Sequence, residues 1–341
     1  MSRALALIIL CGLMIALPGR AARQHSYATQ RPASQEPDER SLKPGPLSPY
    51  LIEWFIDINE DADLREVWRL LKIEPPGDGP YNCRGGCEAE TFELETADEA
   101  RRKTVALKIS FEAADYYAHL IFRKKDHDQG KDDWTFLGRI ETPPQRDGPP
   151  RHRVETGDGR TWFVVREMWG RGSGVIAYGD VWHEIKEERV EQVVAYPVEG
   201  HNTPCPTALG RSYKTVLLRH DLENGVYTIP VQFIVSYNIA DCGKGNDSQP
   251  LFARSQKAYF VWDAGRGKFV LDTSRSDVTQ KELDTVYRLE GLSHEKFVEY
   301  NLDDLLKIAG GNDSKKKEWL RQFLTGLKAS SFKTALRRAL L

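Results

Sequence analysis

From about residue 91 to residue 274 apolar and polar positions alternate with period two, the repeat of a strand that buries one face. Ten segments carry the pattern, beginning with TVALKISFE and DYYAHLIFRK and ending with KAYFVWD and KFVLDT. The clearest runs through Tyr227, Ile229, Val231, Phe233, Val235, Tyr237 and Ile239, which form one wholly apolar face. Pro230, on the opposite face, removes a ladder donor and predicts an edge or bulged strand. Asn224-Gly225, Asp158-Gly159 and DAGRGK at 263–268 are hairpin signals. No helix-length pattern separates the strands, which argues against a parallel βαβ sheet. The expected fold is therefore α+β, with a large antiparallel β region of about ten strands. Sandwich, barrel and propeller-like arrangements all fit it, although no blade-length repeat is present.

Helical patterns flank this region. Ser48 and Pro49 suit an N-cap and a first helical position. Asp63 suits the cap of a second helix carrying Leu64, Val67, Trp68 and Leu71, which Pro75 and Pro76 stop. After Ser274, Asp277 is the expected cap of DVTQKELDTVYRLE, and Gly310-Gly311 ends SHEKFVEYNLDDLLKIAGG. Ahead of all this, Arg3 precedes an apolar run from Ala4 to Leu17, the length of a signal-peptide core rather than a span. Gly19 and Ala21 place cleavage near Ala21, with an uncleaved anchor as the alternative. Cys11 sits mid-run behind bulky Ile9 and Leu10, against a lipoprotein signal. The expected organisation is a signal peptide at 1–21, a flexible linker at 22–47, a helical hairpin at 48–76, an antiparallel β domain at 77–274 and a C-terminal helical subdomain at 275–341. The linker is Pro, Ser, Gln and charge, too polar to offset its ordering entropy. This pattern implies a secreted or periplasmic protein with no transmembrane segment after cleavage.

Charge narrows the partners. A net charge of −2 over 341 residues supplies no field for nucleic acid. Residues 314–341 carry +7, leaving −9 elsewhere. There Trp319, Leu320, Phe323, Leu324 and Leu327 recur at helical spacing opposite Lys and Arg. Such a helix packs on the sheet or, as the second reading, makes a weak contact with an anionic membrane or partner.

With Cys11 in the leader, Cys83, Cys87, Cys205 and Cys242 remain, an even count that favours disulfides in an exported chain. We expect Cys83–Cys87 and Cys205–Cys242, because Gly85 and Gly86 can take the positive φ a five-residue ring needs. The C-x-x-C redox pattern and the two close pairs of a zinc site are both missing. Asp57, Asn59, Asp61 and Asp63 alternate like calcium ligands, but Ala62 and Trp68 replace the required Gly and Glu. Neither a metal nor a cofactor is expected.

Along GVIAYGDVWHEIKE, Ile176, Tyr178, Asp180, Trp182 and Glu184 share one face, the aromatics and carboxylates of a sugar-binding surface. Val175, Ala177, Val181 and Ile185 offer a plain core face. A solvated or half-buried aromatic face is the simpler reading of the first set. Asp180 and Glu184 stand roughly 13 Å apart on a straight strand, too far for a glycosidase pair. His183 does not begin H-E-x-x-H, and WGRGSGV lacks the Lys-Ser/Thr of a phosphate loop. The candidate ligand-binding residues are Tyr178, Asp180, Trp182, His183 and His201. No convergent acid/base, metal or nucleophile set is visible. The expectation is a non-enzymatic binding or structural module, the alternative a carbohydrate-active or other hydrolase with scattered residues.

Overall fold

The computed structural model describes residues 47–341 apart from 60, 75–82, 84–85, 97–101, 112–115, 125–132, 143–149, 173, 203–208, 219–220, 224–225, 240–248 and 288–291. The segments expected to be a signal peptide and, but for Leu47, a linker therefore lie outside the described residues, as do Cys205, Cys242, Asn224 and Gly225.

Helices α1 (Pro49–Asp57) and α2 (Arg65–Leu71) precede an antiparallel meander of β1 (Cys87–Leu94), β2 (Thr104–Phe111), β3 (Tyr116–Lys124) and β4 (Trp134–Thr142). A nine-stranded antiparallel sheet follows. It holds β5 (His152–Gly157), β6 (Arg160–Gly172), β7 (Val175–Ile185), β8 (Val190–Asn202), β9 (Leu209–Leu217), β10 (Asp221–Glu223), β11 (Val226–Ile239), β12 (Gln249–Asp263) and β13 (Lys268–Leu271). Its order is β13-β12-β11-β9-β8-β7-β6-β5, with β10 added to β11. Helices α3 (Gln280–Thr285), α4 (His294–Tyr300), α5 (Leu302–Gly310), α6 (Ser314–Thr325) and α7 (Ser331–Ala339) come last. The expected α+β fold with a large antiparallel region is what the chain forms.

Strand alternation sorts side chains into three apolar layers. From β2, Val105, Leu107 and Ile109 join Ile52, Val67 and Trp68 of the N-terminal helices. Ala106 points the other way and meets Phe163, Val165 and Ile185 across the two sheets. Both faces of β2 are thus covered, and the strand is buried along its whole length but for half-buried Lys108. In the third layer the nine-stranded sheet curls on itself: the Trp162 ring lies 4.6 Å from Tyr227 and 5.8 Å from Phe269, on strands that are not its neighbours. The sheet stays open, since its order ends at β5 and β13. The same layer continues into Phe297, Leu305, Leu320 and Leu336 of the last helices. Trp319, Leu320 and Leu324 are buried there, so the apolar stripe of the basic segment packs inward. No helix among the described residues is long and apolar enough to cross a membrane.

Several local expectations change. The strand containing Pro230 is interior, between β12 and β9. The pairing with β10 ends at Thr228 and that with β9 begins at Val231, so Pro230 sits where the two neighbours leave a gap. Its carbonyl still accepts from Leu218 N at 2.9 Å, and the missing N–H costs no ladder bond. Asp158 and Gly159 take φ of 51° and 66° and form the expected two-residue turn between β5 and β6. Helix α2 begins after Leu64 rather than Asp63, whose carboxylate caps Arg65 N at 3.0 Å from outside the helix. Thr279, not Asp277, caps α3, in a reciprocal capping box with Glu282. Asp277 instead accepts from Lys257 N at 2.9 Å. The sulfurs of Cys83 and Cys87 are at disulfide distance, with the Cα atoms 4.9 Å apart and Gly86 at φ 104°. Cys83 is buried against the helical hairpin and donates its N–H to Ala62 O.

Candidate functional site

The residues expected to form a ligand face on β7 do share a face in part, but it is buried. Trp182 is wholly enclosed, its ring 6.1 Å from Trp162 and 6.4 Å from Phe269. It is a core residue, not the solvated or half-buried platform the alternation suggested. The reason is the curl of the sheet, which folds β11–β13 over the face of β6 and β7. Asp180 is buried between two guanidinium groups: Arg153 Nη1 donates at 2.8 Å to Oδ2 and Arg166 Nε at 3.0 Å to Oδ1. Both carboxylate oxygens are thus engaged by arginine. Arg153 also lies 5.6 Å from the Trp182 ring; burial works to lower its pKa, but the Asp180 carboxylate, with Glu155, outweighs this and holds it above the usual arginine value. Tyr178 is half-buried opposite Met168. His183 faces the layer between the sheets, opposite Phe163. His201 is exposed near the end of β8, beside a cavity of about 100 Å³ lined by Met168, Arg171 and Ile176. It pairs with Ile176, seven residues of strand from His183, or roughly 20 Å. The five candidates do not converge.

The structure assembles two other groups of polar residues. The first is a set of histidines between the sheets. His119 of β3 is wholly buried with its ring 5.6 Å from His152 of β5 and 5.3 Å from Phe163. His152 stacks on Phe92 at 4.5 Å. Neither ring nitrogen of His119 has a hydrogen-bond partner, nor does Nδ1 of His183. Burial, with His152, Lys108 and His183 adding positive neighbours, pushes His119 down to about 3. Burial likewise pushes His183 down to about 4 and lowers His152. Among the described residues no three His, Cys, Asp or Glu side chains are grouped to hold a metal ion. Sequence offered no signal for this set, because His119 and His152 are ordinary positions of alternating strands far apart in the chain.

The second is a cleft of about 530 Å³ where Arg102 and Arg123 of the meander meet Arg160, Glu184, Lys186 and Glu187 of the larger sheet. The Asp158-Gly159 turn forms its rim, and the space over Gly159 is open. Arg160 is fixed on two sides. Its Nη1 donates to Glu184 Oε1 at 2.7 Å, and its guanidinium lies 4.2 Å from the Trp262 ring centroid. Its Nε is buried with no hydrogen-bond partner. Lys186 stands 3.6 Å from the second oxygen of the buried Glu184. Arg102 reaches the largely exposed Glu187 at 3.4 Å. Arg123 is only 6% exposed, with Nε 3.4 Å from Thr104 Oγ1. The lining holds four cationic side chains and two carboxylates, and Lys186 pairs in addition with Glu191 behind it. No sequence window could show this, since its members come from four separate stretches of chain. Comparison of the chain with protein-family models, curated proteins and solved structures finds no match.

Proposed function

We infer that this chain is an exported, non-enzymatic binding module, secreted or periplasmic, that takes an anionic ligand in the cleft between its two sheets. The observation that carries the reading is the cleft's lining: four Lys and Arg side chains against two carboxylates, in a recess large enough for a small organic anion. Guanidinium groups there have the forked geometry that carboxylates and phosphates accept in pairs. The non-enzymatic character is supported by Asp180, whose oxygens are both held, and by Trp182, which belongs to the core. Those were the central members of the alternative hydrolase reading, and nothing in their placement favours it. Export is supported by the apolar run at 4–17 and by Cys83 and Cys87 at disulfide distance.

Calorimetric titration with citrate and with inorganic phosphate tests the reading. At least one should bind saturably, more weakly at high salt. The double variant Arg102→Ala/Lys186→Gln should lose about tenfold or more in affinity, roughly 1.4 kcal/mol. Absence of binding by both anions, or unchanged affinity in a folded double variant, would overturn it.

A further inference from the structure

A second basic group lies on β9, away from the cleft. Arg211 is 6% exposed and lies opposite Asn202 of β8 and Tyr237 of β11. Its Nη1 is enclosed with no hydrogen-bond partner, and no carboxylate among the described residues pairs with it. The groups that act on it electrostatically are the hydroxyls of Tyr237, Tyr213 and Tyr287, and burial lowers its pKa. Two of those hydroxyls are engaged elsewhere: Tyr237 Oη accepts from Asn301 Nδ2 at 3.5 Å, and Tyr287 Oη donates to Gln256 Oε1 at 3.0 Å. Tyr213 is not. It lies two residues from Arg211 on the same face of β9, and its buried hydroxyl also has no partner. Its ring is packed over Gly200, where an added Cβ would come within 2.8 Å of it. This close approach fixes the ring over Gly200.

We propose that Arg211 and Tyr213 form an internal anion site that takes a small carboxylate. Both groups are donors, they are neighbours on one strand face, and Arg211 Nη1 and Tyr213 Oη both lack an acceptor among the described residues. A guanidinium taken out of water without a counter-charge is strongly unfavourable. A carboxylate supplies the missing charge to Arg211 and the missing acceptor to Tyr213 Oη together. The site is separate from the cleft of Arg102, Arg160 and Lys186 and does not depend on that cleft binding anything.

The test is thermal unfolding of the full chain in acetate, formate, chloride or phosphate at fixed pH and ionic strength. Acetate or formate should raise the Tm saturably by several degrees relative to chloride. Phosphate, larger and more strongly hydrated, should raise it less. Arg211→Met should abolish the acetate shift. Tyr213→Phe, which keeps the ring over Gly200, should move the midpoint to several-fold higher acetate. The cleft variant Arg102→Ala/Lys186→Gln should keep the full shift, so failure of one site is distinguishable from failure of the other. A Tm independent of the anion in the unmodified protein would overturn the proposal. So would an acetate shift that survives in Arg211→Met. If Arg211→Met fails to fold, an unchanged acetate midpoint in Tyr213→Phe is the overturning result.

Discussion

Acid should destabilise this protein through its buried histidines, against which Glu167, whose carboxyl burial pushes up to about 6, returns about 1 kcal/mol between pH 7 and pH 5. His119 titrates near about 3 and His183 near about 4 in the folded chain, because burial penalises their charged forms. In the unfolded chain both return to about 6.5. The folded values are the lower ones, so the unfolded state binds more protons between them. The stability these groups contribute is present above pH about 6.5 and is lost as pH falls towards 4 and 3. Between pH 7 and pH 5 each costs about 2 kcal/mol, and the pair about 4 kcal/mol. That is a large part of a typical folding free energy of about 5–15 kcal/mol. Denaturant unfolding at pH 7 and pH 5 measures the loss directly. The variant His119→Phe, which keeps an aromatic ring against Phe163 and His152, should lose less than half as much over that interval. An NMR titration of the ring protons gives a second readout: His119 and His183 should not titrate above pH 5. Equal stability of the unmodified protein at pH 5 and pH 7, or a His119→Phe loss as large as its parent's, would show that these histidines do not set the acid sensitivity.

Two further outcomes follow from the same physics. Asp180→Ala removes the buried carboxylate shared by Arg153 and Arg166, although Arg153 keeps Glu155, and should cost about 3 kcal/mol by denaturant unfolding, whereas exposed Glu187→Ala should cost under about 1 kcal/mol. Cys83→Ser/Cys87→Ser opens a five-residue ring and should cost about 2 kcal/mol, and the parent protein, purified from an oxidising compartment, should show no free thiol at either position.

Period two alone carried the fold class, because an antiparallel sheet with a buried face writes its alternation into each strand. The strands that escaped it are those with weak alternation: β1 is CEAETFEL, rich in carboxylates and only partly buried, and β5 is a half-exposed edge. Strand β10 is three residues long. For β7 the alternation grouped Asp180, Trp182 and Glu184 correctly but could not tell whether that face meets water. The answer lies in the curl that brings Phe269 and Tyr227 over it, a contact between residues far apart in sequence. The same holds for Pro230, whose tolerance depends on where β9 ends and β10 begins. The cleft and the histidine set were illegible for the same reason: each is assembled across two sheets.

The buried basic groups of this fold show two different answers to one cost. Burial of His119 removes its proton, and a neutral imidazole with two unpartnered nitrogens is tolerable at neutral pH. Lys108, opposite it on β2, reinforces that outcome by disfavouring a second positive charge. Asp180 illustrates the other route, in which opposite charges are buried together and every carboxylate oxygen is bonded. Arg211 has neither. Its pKa is lowered by burial, but a guanidinium starts so far above neutrality that it stays charged in any ordinary protein environment. Tyrosine hydroxyls can solvate that charge but do not neutralise it. A position that can neither shed its charge nor pair it within the described fold is one where an external anion has the most to gain.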